Sequence, residues 1–404
     1  MTRAISALLV LQFALLTIGI TRDYQLKHED NNALHATFAR SHLRLGLETT
    51  RGQNYFYRPA SDSGGFYPNH PAGPGLLLAL VYGVTGLDGP VVTRAVAIVV
   101  HMLATWLFLG LARRLFTRSW EVTLALLLFV VLPESAFFGR MVNHEVLALP
   151  GAILLVRGYW EAVNAGWSRP RWLMAVIGGA AWAVFSGWVG FFAVGACALH
   201  AGVEALVRRN ARAWLPFGVL TAAGAVLFGL TIAHLLWILN GDVGYLRDLF
   251  SSRSVGEGRP DLVAWIGRIL ELHWRYFGLT SAAALAAVAV RAVRRRSDEA
   301  AIDPAQEVAA IFLLAGAGYV AAFAFNATKH DYWQFFLLPA TALAIVLLMR
   351  GLFGLVRHRA LRHVLVGAAI LDITLVSTVT LVQRHVKQEG YCLRTVEELR
   401  RNHL

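Results

Sequence analysis

Residues 21–71, TRDYQLKHEDNNALHATFARSHLRLGLETTRGQNYFYRPASDSGGFYPNHP, form the long polar interruption in a chain otherwise built of apolar runs. Near its start stands His28-Glu29-Asp30-Asn31-Asn32, and at its end Tyr67-Pro68-Asn69-His70-Pro71 leads into the next apolar run. That run, 71–86, decides the topology. It carries Gly73, Gly75 and Gly83 and is short of the ~20 apolar residues needed to cross a ~30 Å hydrocarbon core. Pro71 suits a first helical turn, and Gly86-Leu87-Asp88-Gly89-Pro90 stops a helix. The segment reads as a helix lying in the membrane interface.

Of the 404 residues, 57% are hydrophobic and 15% charged, the second figure well below the ~25% of soluble domains. The fold class is therefore all-α, a polytopic membrane protein. Spans are predicted at 4–21, 90–112, 120–137, 146–163, 172–187, 189–207, 214–239, 276–293, 307–325, 334–354 and 361–383, about eleven in all. Met1-Thr2-Arg3 and the run to Ile20 read as a retained first helix, because no small-x-small cleavage site precedes Thr21. A net charge of +12 would suggest nucleic acid in a soluble protein. Here the arginines fall in short loops, so they read as topology signals and no nucleic-acid partner is expected. Cys197 lies in an apolar run and Cys392 in the tail, so they are not expected to pair.

With the N-terminus inside, Arg113-Arg114, Arg169, Arg171, Arg208-Arg209, Arg291, Arg294-Arg295-Arg296, Arg350 and Arg357 all face the cytoplasm, as the positive-inside rule requires. This holds only if 71–86 does not cross. The outer segments are then 22–70, 134–145, the turn at 187–190, 240–275, 326–333 and a tail at 384–404. Most acidic and histidine residues at span ends fall there, so chemistry is expected on the outer face.

Four constellations could carry it. Glu29 and Asp30 precede an amphipathic interfacial helix over 31–47. They read equally well as helix-capping acids and as a general base whose pKa is raised at membrane depth. Arg140, His144 and Glu145 crowd the turn between two spans, where capping by Glu145 is the plainer reading. Lys329, His330 and Tyr332 form a basic, aromatic turn, suited to phosphate or to an interfacial aromatic belt. Arg247, Arg253, Arg259, Arg268 and Arg275 make the 240–275 loop basic against the topological trend, which invites an anionic partner or a solvated loop. Within spans, His101, His200, His234 and Asp372 have no evident partners, which counts against a transporter.

In order along the chain come Glu29-Asp30, Ala39-Arg40, Gly46, Tyr67-x-x-His70-Pro71, Gly75-Leu76-Leu77-Leu78, Gly86 and Thr93-Arg94. Leu111-Ala112-Arg113-Arg114-Leu115-Phe116 and Phe138-Gly139-Arg140-Met141-Val142-Asn143-His144-Glu145 follow, then His330-x-Tyr332-Trp333 and Pro339. Over about residues 1–340 this order resembles the polyprenyl-phosphate-sugar glycosyltransferases of the GT-C fold, in the protein-mannosyltransferase-like family 39 that includes the aminoarabinose transferases.

The resemblance implies a GT-C transmembrane domain over 1–383, with interfacial helices at 31–47 and 71–86 in and after the 22–70 loop. It implies inverting transfer of a sugar from a polyprenyl-phosphate-linked donor to a hydroxyl of a glycan, lipid or protein acceptor. Carried over residue by residue, the base falls on Asp30 or Glu29, with Asp30 favoured. The second acidic position falls on Glu145, holding the acceptor or a metal, and His70 would face the leaving phosphate. Arg140, His144, Arg275, Lys329, His330 and Tyr332 complete the expected substrate-binding set. No cofactor is expected; convergence of Glu29, Asp30, His144 and Glu145 on one divalent cation is the alternative. Membrane lipids surround the chain, and a bacterial inner membrane with a periplasmic active site is the expected location. Departures are Pro71-Ala72-Gly73-Pro74 in place of a double proline, and a short outer tail at 384–404 with no soluble domain. A transporter or flippase for a lipid-linked or anionic solute, or an inactive scaffold on the same fold, are the other readings.

Overall fold

Prolines and capping side chains set where the helices begin. The computed structural model describes residues 2–24, 28–58, 63–208, 213–254, 261–294, 303–356 and 358–386. In chain order they form α1 (Thr2–Thr17), α2 (Asp30–Thr50), the strands β1 (Tyr55–Arg58) and β2 (Ser63–Phe66), and α3 (Gly73–Thr85). Then come α4 (Pro90–Leu115), α5 (Ser119–Val131), α6 (Pro133–Phe138), α7 (His144–Asn164), α8 (Pro170–Ser186) and α9 (Val189–Arg208). The remainder is α10 (Trp214–Ile238), α11 (Val243–Ser254), α12 (Leu262–Phe277), α13 (Leu279–Arg294), α14 (Pro304–Ala322), α15 (Ala324–Lys329), a 3-10 helix (Asp331–Leu337), α16 (Leu338–Leu355) and α17 (Arg359–Val386). Pro90, Pro170 and Pro304 open their helices without wasting an amide. The side chains of Asn143 and Asp303 accept amide hydrogens of the first turns of α7 and α14.

Each predicted span is helical over most of its length. Among the described residues seven helices are long and apolar enough to cross a membrane, while Thr2–Thr17, Ser119–Val131 and Leu279–Ala292 are shorter. The run predicted over 120–137 is two helices, because Pro133 disfavours the helical basin for the residue before it. Leu132 accordingly sits at φ −57°, ψ 136°. The 276–293 run is also split: Gly278, at φ +80°, ends α12 and α13 starts afresh. Between α8 and α9 the expected tight turn is present, with Gly190 N–H bonded to Gly187 O at 3.0 Å. Cys392, Arg259 and the tail beyond 386 lie outside the described residues.

The core is centred on α7, whose residues from His144 to Ile153 are all buried. It crosses α8 at close range through paired glycines. A Cβ on Gly151 would stand 2.6 Å from the Ala183 nitrogen, and one on Gly179 2.5 Å from the Leu155 nitrogen. Such small-residue contacts let membrane helices gain dispersion energy where no hydrophobic drive separates protein from lipid. By contrast α10 and α17 expose Phe228, Leu230, Trp237, Val364, Ile370 and Leu371, an apolar perimeter for acyl chains to cover.

At one end of the bundle lie the described residues of the 22–70 segment. α2 is the helix expected there, but its buried face is mixed, with polar residues beside the buried Ala36, Phe38 and Ala39. Asn32, His35, Ser41 and His42 are buried, whereas Leu43 and Leu47 are 51% and 60% exposed. In lipid the leucines are the outward residues and the polar ones turn toward protein. Gly46 (φ +75°) kinks the helix. A short antiparallel hairpin follows, with Tyr55 opposite Phe66; the sequence reading had no strand there. α3, thirteen residues and about 20 Å long, packs on α2, and a Cβ on Gly75 would meet Phe38 and Asn54.

Candidate active site

The two acids of the Glu29-Asp30 pair have different environments. Glu29 occupies the N-cap position of α2, yet its side chain makes no capping bond. It is buried, and its Oε1 accepts from Arg94 (3.1 Å from Nε, 3.0 Å from Nη2), with Arg140 Nη2 at 3.6 Å. Arg94, in the first turns of α4, is fully buried. Besides Glu29 it donates to the backbone carbonyls of Ile20 (2.8 Å), Arg22 and Asp23 (3.1 Å). Arg140 donates to Ile18 O. Burial pushes its pKa down to about 10 while Glu29 opposes the shift, so it is cationic at neutral pH.

The residues after Asp30 are tied to the same turn. Asn32 Oδ1 accepts from the Val142 amide at 2.7 Å, and Asn31 Nδ2 lies 3.8 Å from Met141 Sδ. Glu29, Asn31 and Asn32 are thus fixed against residues 140–142, and Asp30 is the exposed residue among them. Desolvation by the surrounding protein raises its pKa above the ordinary carboxylate value, partly offset by the Asp30 and Asn31 amides. Beside it His28 adopts the left-handed region (φ 65°), uncommon for a non-glycine residue. Its ring packs against Tyr332 (5.1 Å), His330 (5.9 Å) and Phe138 (6.3 Å). Tyr332 hydrogen-bonds Asn31 and lies within electrostatic reach of both Asp30 and Glu145.

Glu145, at the start of α7, is 1% exposed. Its Oε1 accepts from the Tyr319 hydroxyl of α14 at 2.7 Å, and its Oε2 has no hydrogen-bond partner among the described residues. Next to it three imidazoles gather. His70 stacks on His144 at 3.9 Å and 14°, and His35 meets His144 edge-on at 5.0 Å. Arg253 of α11, 9% exposed, donates from Nη1 to His70 Nε2 at 2.9 Å and to Asn69 O at 3.0 Å. A guanidinium only donates, so His70 Nε2 must accept and the ring proton sits on Nδ1, which is buried with no hydrogen-bond partner among the described residues. Burial, then His144 and Arg253, hold the His70 pKa well below the usual value; burial and His144 do the same for His35. Around neutral pH these two rings are neutral and the guanidinium is the cation among them.

The remaining expected residues are placed differently. His330 is half-buried among His28, Tyr332 and Trp333. Lys329 is exposed, with Nζ 3.8 Å above the Phe325 ring. Arg275 pairs with Glu271 at 2.6 Å on the partly exposed face of α12. Glu29, Asp30, His144 and Glu145 do not form a group close enough to ligate one ion among the described residues.

Arg253, Arg94, Tyr319 and His35 were absent from the sequence-derived site. Arg253 looked like any other arginine of the 240–275 loop. A signal did exist for Arg94, since an arginine four residues into an apolar helix needs an acidic partner.

No family model matches the chain, and no curated protein matches it by sequence. Similarity is found among solved structures. ArnT from Cupriavidus metallidurans bound to undecaprenyl phosphate superposes with a TM-score of 0.64 at 16% identity, covering 95% of this chain and 64% of that one. The oligosaccharyltransferase of Archaeoglobus fulgidus in complex with Zn and sulfate gives 0.58 at 16% identity, covering 94% and 53%. The same archaeon's AglB with an inhibitory peptide and a dolichol-phosphate gives 0.58 at 14%, covering 96% and 56%. The chain spans between about half and two thirds of the length of these structures. At such identities the likeness establishes the fold alone, the GT-C architecture that these structures share.

Proposed function

We propose that this GT-C membrane protein transfers a sugar from a polyprenyl-phosphate donor to an acceptor hydroxyl, with Asp30 as general base. The observation that carries the reading is the division of labour in the acid pair. Glu29 is consumed by Arg94 and Arg140 and holds the loop, while Asp30 is exposed with a pKa raised by desolvation. A base must be unpaired to accept the hydroxyl proton, and its strength grows as its pKa approaches the working pH.

In the mechanism, Asp30 removes the acceptor proton as the oxygen attacks the anomeric carbon from the face opposite the phosphate, inverting it. The sugar–phosphate bond breaks and the polyprenyl phosphate leaves with the electron pair. Arg253 neutralises the departing phosphate, assisted by the His70 Nδ1–H donor; the guanidinium's forked donors suit a phosphate. Glu145, held by Tyr319, turns its second oxygen to an acceptor hydroxyl. Tyr332 and His330 close the side next to Asp30. Arg275 and Lys329 take no direct part in this reading. The site lies on the periplasmic face of a bacterial inner membrane, where the basic loops oppose it across the bilayer.

The test is a transfer assay with purified protein and undecaprenyl- or dolichyl-phosphate-linked hexoses and pentoses. Asp30→Asn should abolish transfer while donor binding persists. Unchanged turnover in this variant, or movement of intact donor across a vesicle without sugar release, overturns the proposal, the second outcome in favour of a flippase.

A further inference from the structure

Away from this site, His200 and Glu204 stand one turn apart on α9, and Glu307 lies in the first turn of α14. Residues at i and i+4 share a helix face, and here that face meets α14. A ring nitrogen of His200 and a carboxylate oxygen of each glutamate lie within 4.8 Å of one another, all three side chains half-buried. The cluster is remote from the acids discussed above. Tyr319, which bonds Glu145, is twelve residues further along α14 than Glu307, or about 18 Å of helix.

We propose that His200, Glu204 and Glu307 bind one divalent transition-metal ion of the Zn²⁺ type, stapling α9 to α14 at the end of the bundle opposite the active site. The donor set favours a transition metal, because imidazole with carboxylates suits Zn²⁺ or Mn²⁺, whereas Mg²⁺ and Ca²⁺ prefer oxygen alone. The surroundings are those of a ligating histidine. The Tyr159 hydroxyl of α7 lies 2.7 Å from His200 Nδ1, holding the ring through one nitrogen and directing Nε2 to the metal, as outer partners of metal-bound histidines do. Water would complete a four-coordinate shell. At their other ends the two helices meet through apolar contacts, Phe192 against Tyr319 at 5.6 Å. The ion would thus supply the second point that sets how α14 presents Tyr319 to Glu145.

Metal content of the full chain in detergent, stripped with EDTA, reloaded with Zn²⁺ and desalted, tests this. About one Zn²⁺ per chain should be retained, with a rise in Tm that Mg²⁺ does not reproduce. Glu307→Gln and His200→Ala should lose the retained ion and the Tm response, and Tyr159→Phe should weaken binding ~10-fold. Asp30→Asn and Glu145→Gln should keep both. If His200→Ala does not give monodisperse protein, Glu204→Gln serves in its place. No retained Zn²⁺ in the wild-type chain, equal retention in every variant, or loss on Glu145→Gln in place of Glu307→Gln would each overturn the site, and none of these bears on sugar transfer.

Discussion

Arg94 and Glu29 form an ion pair of 3.0 Å between side chains that are 0% and 5% exposed. Arg94 also gathers three backbone carbonyls from the chain between α1 and α2. One residue of α4 thus ties Ile20, Arg22 and Asp23 to Glu29, the neighbour of Asp30. Desolvating such a pair is costly, and its return is geometric: it anchors the residue next to Asp30. Removing one partner strands a buried charge, at about 3–5 kcal/mol. Arg94→Ala should therefore lower thermal stability sharply in detergent, whereas Glu29→Gln, which keeps an acceptor oxygen, should cost less. Equal Tm values for Arg94→Ala and wild type would refute the clamp.

Asp30 sets the acid limb of the activity profile. A general base works deprotonated, so turnover should fall as pH drops through its pKa. Desolvation raises that pKa, so the fall should begin at higher pH than for an ordinary carboxylate near ~4. The acid limb should vanish with the activity in Asp30→Asn. A kcat profile flat down to the ordinary range would argue against this base.

Arg253 should govern donor binding. Its loss removes a charge-assisted hydrogen bond to phosphate of about 1.5–3 kcal/mol, so Arg253→Ala should weaken polyprenyl-phosphate binding by ~10–150-fold. Arg275→Ala, whose guanidinium is engaged by exposed Glu271, should change it little. Direct binding measured with both variants decides which arginine meets the lipid.

Tyr319→Phe deletes the hydrogen bond to Glu145 Oε1 and leaves the buried carboxyl short of its partner. A cost of about 1–3 kcal/mol in stability follows. Acceptor KM should rise more than donor affinity falls, and steady-state kinetics with each substrate varied will show which moves.

Gly187 lies against the histidine stack. A Cβ there would stand 2.7 Å from His144 Cβ, and its backbone is extended (φ 176°), so the objection to a side chain is steric. Gly187→Ala should push His144 off His70 and lower turnover at a stability loss of about 1–3 kcal/mol. A crystal or cryo-EM structure of the variant with an unmoved stack would contradict this.

Composition alone established the helical membrane class, because nothing but a bilayer accommodates so many ~20-residue apolar runs. Proline and glycine placed most helix ends, since both act on the local backbone, and the position of the Glu29-Asp30 pair at the start of α2 was equally legible. The two acids are neighbours of like charge in sequence, and no local pattern separates a buried anchor from an exposed carboxylate. That division came from Arg94 and Arg140, sixty-five and more residues away. The same holds for Arg253 on His70 and Tyr319 on Glu145, pairs 183 and 174 residues apart. Periodicity reports which face of a helix is apolar, whereas partners, burial and free lone pairs depend on what other helices bring to that face, and only packing in three dimensions specifies them.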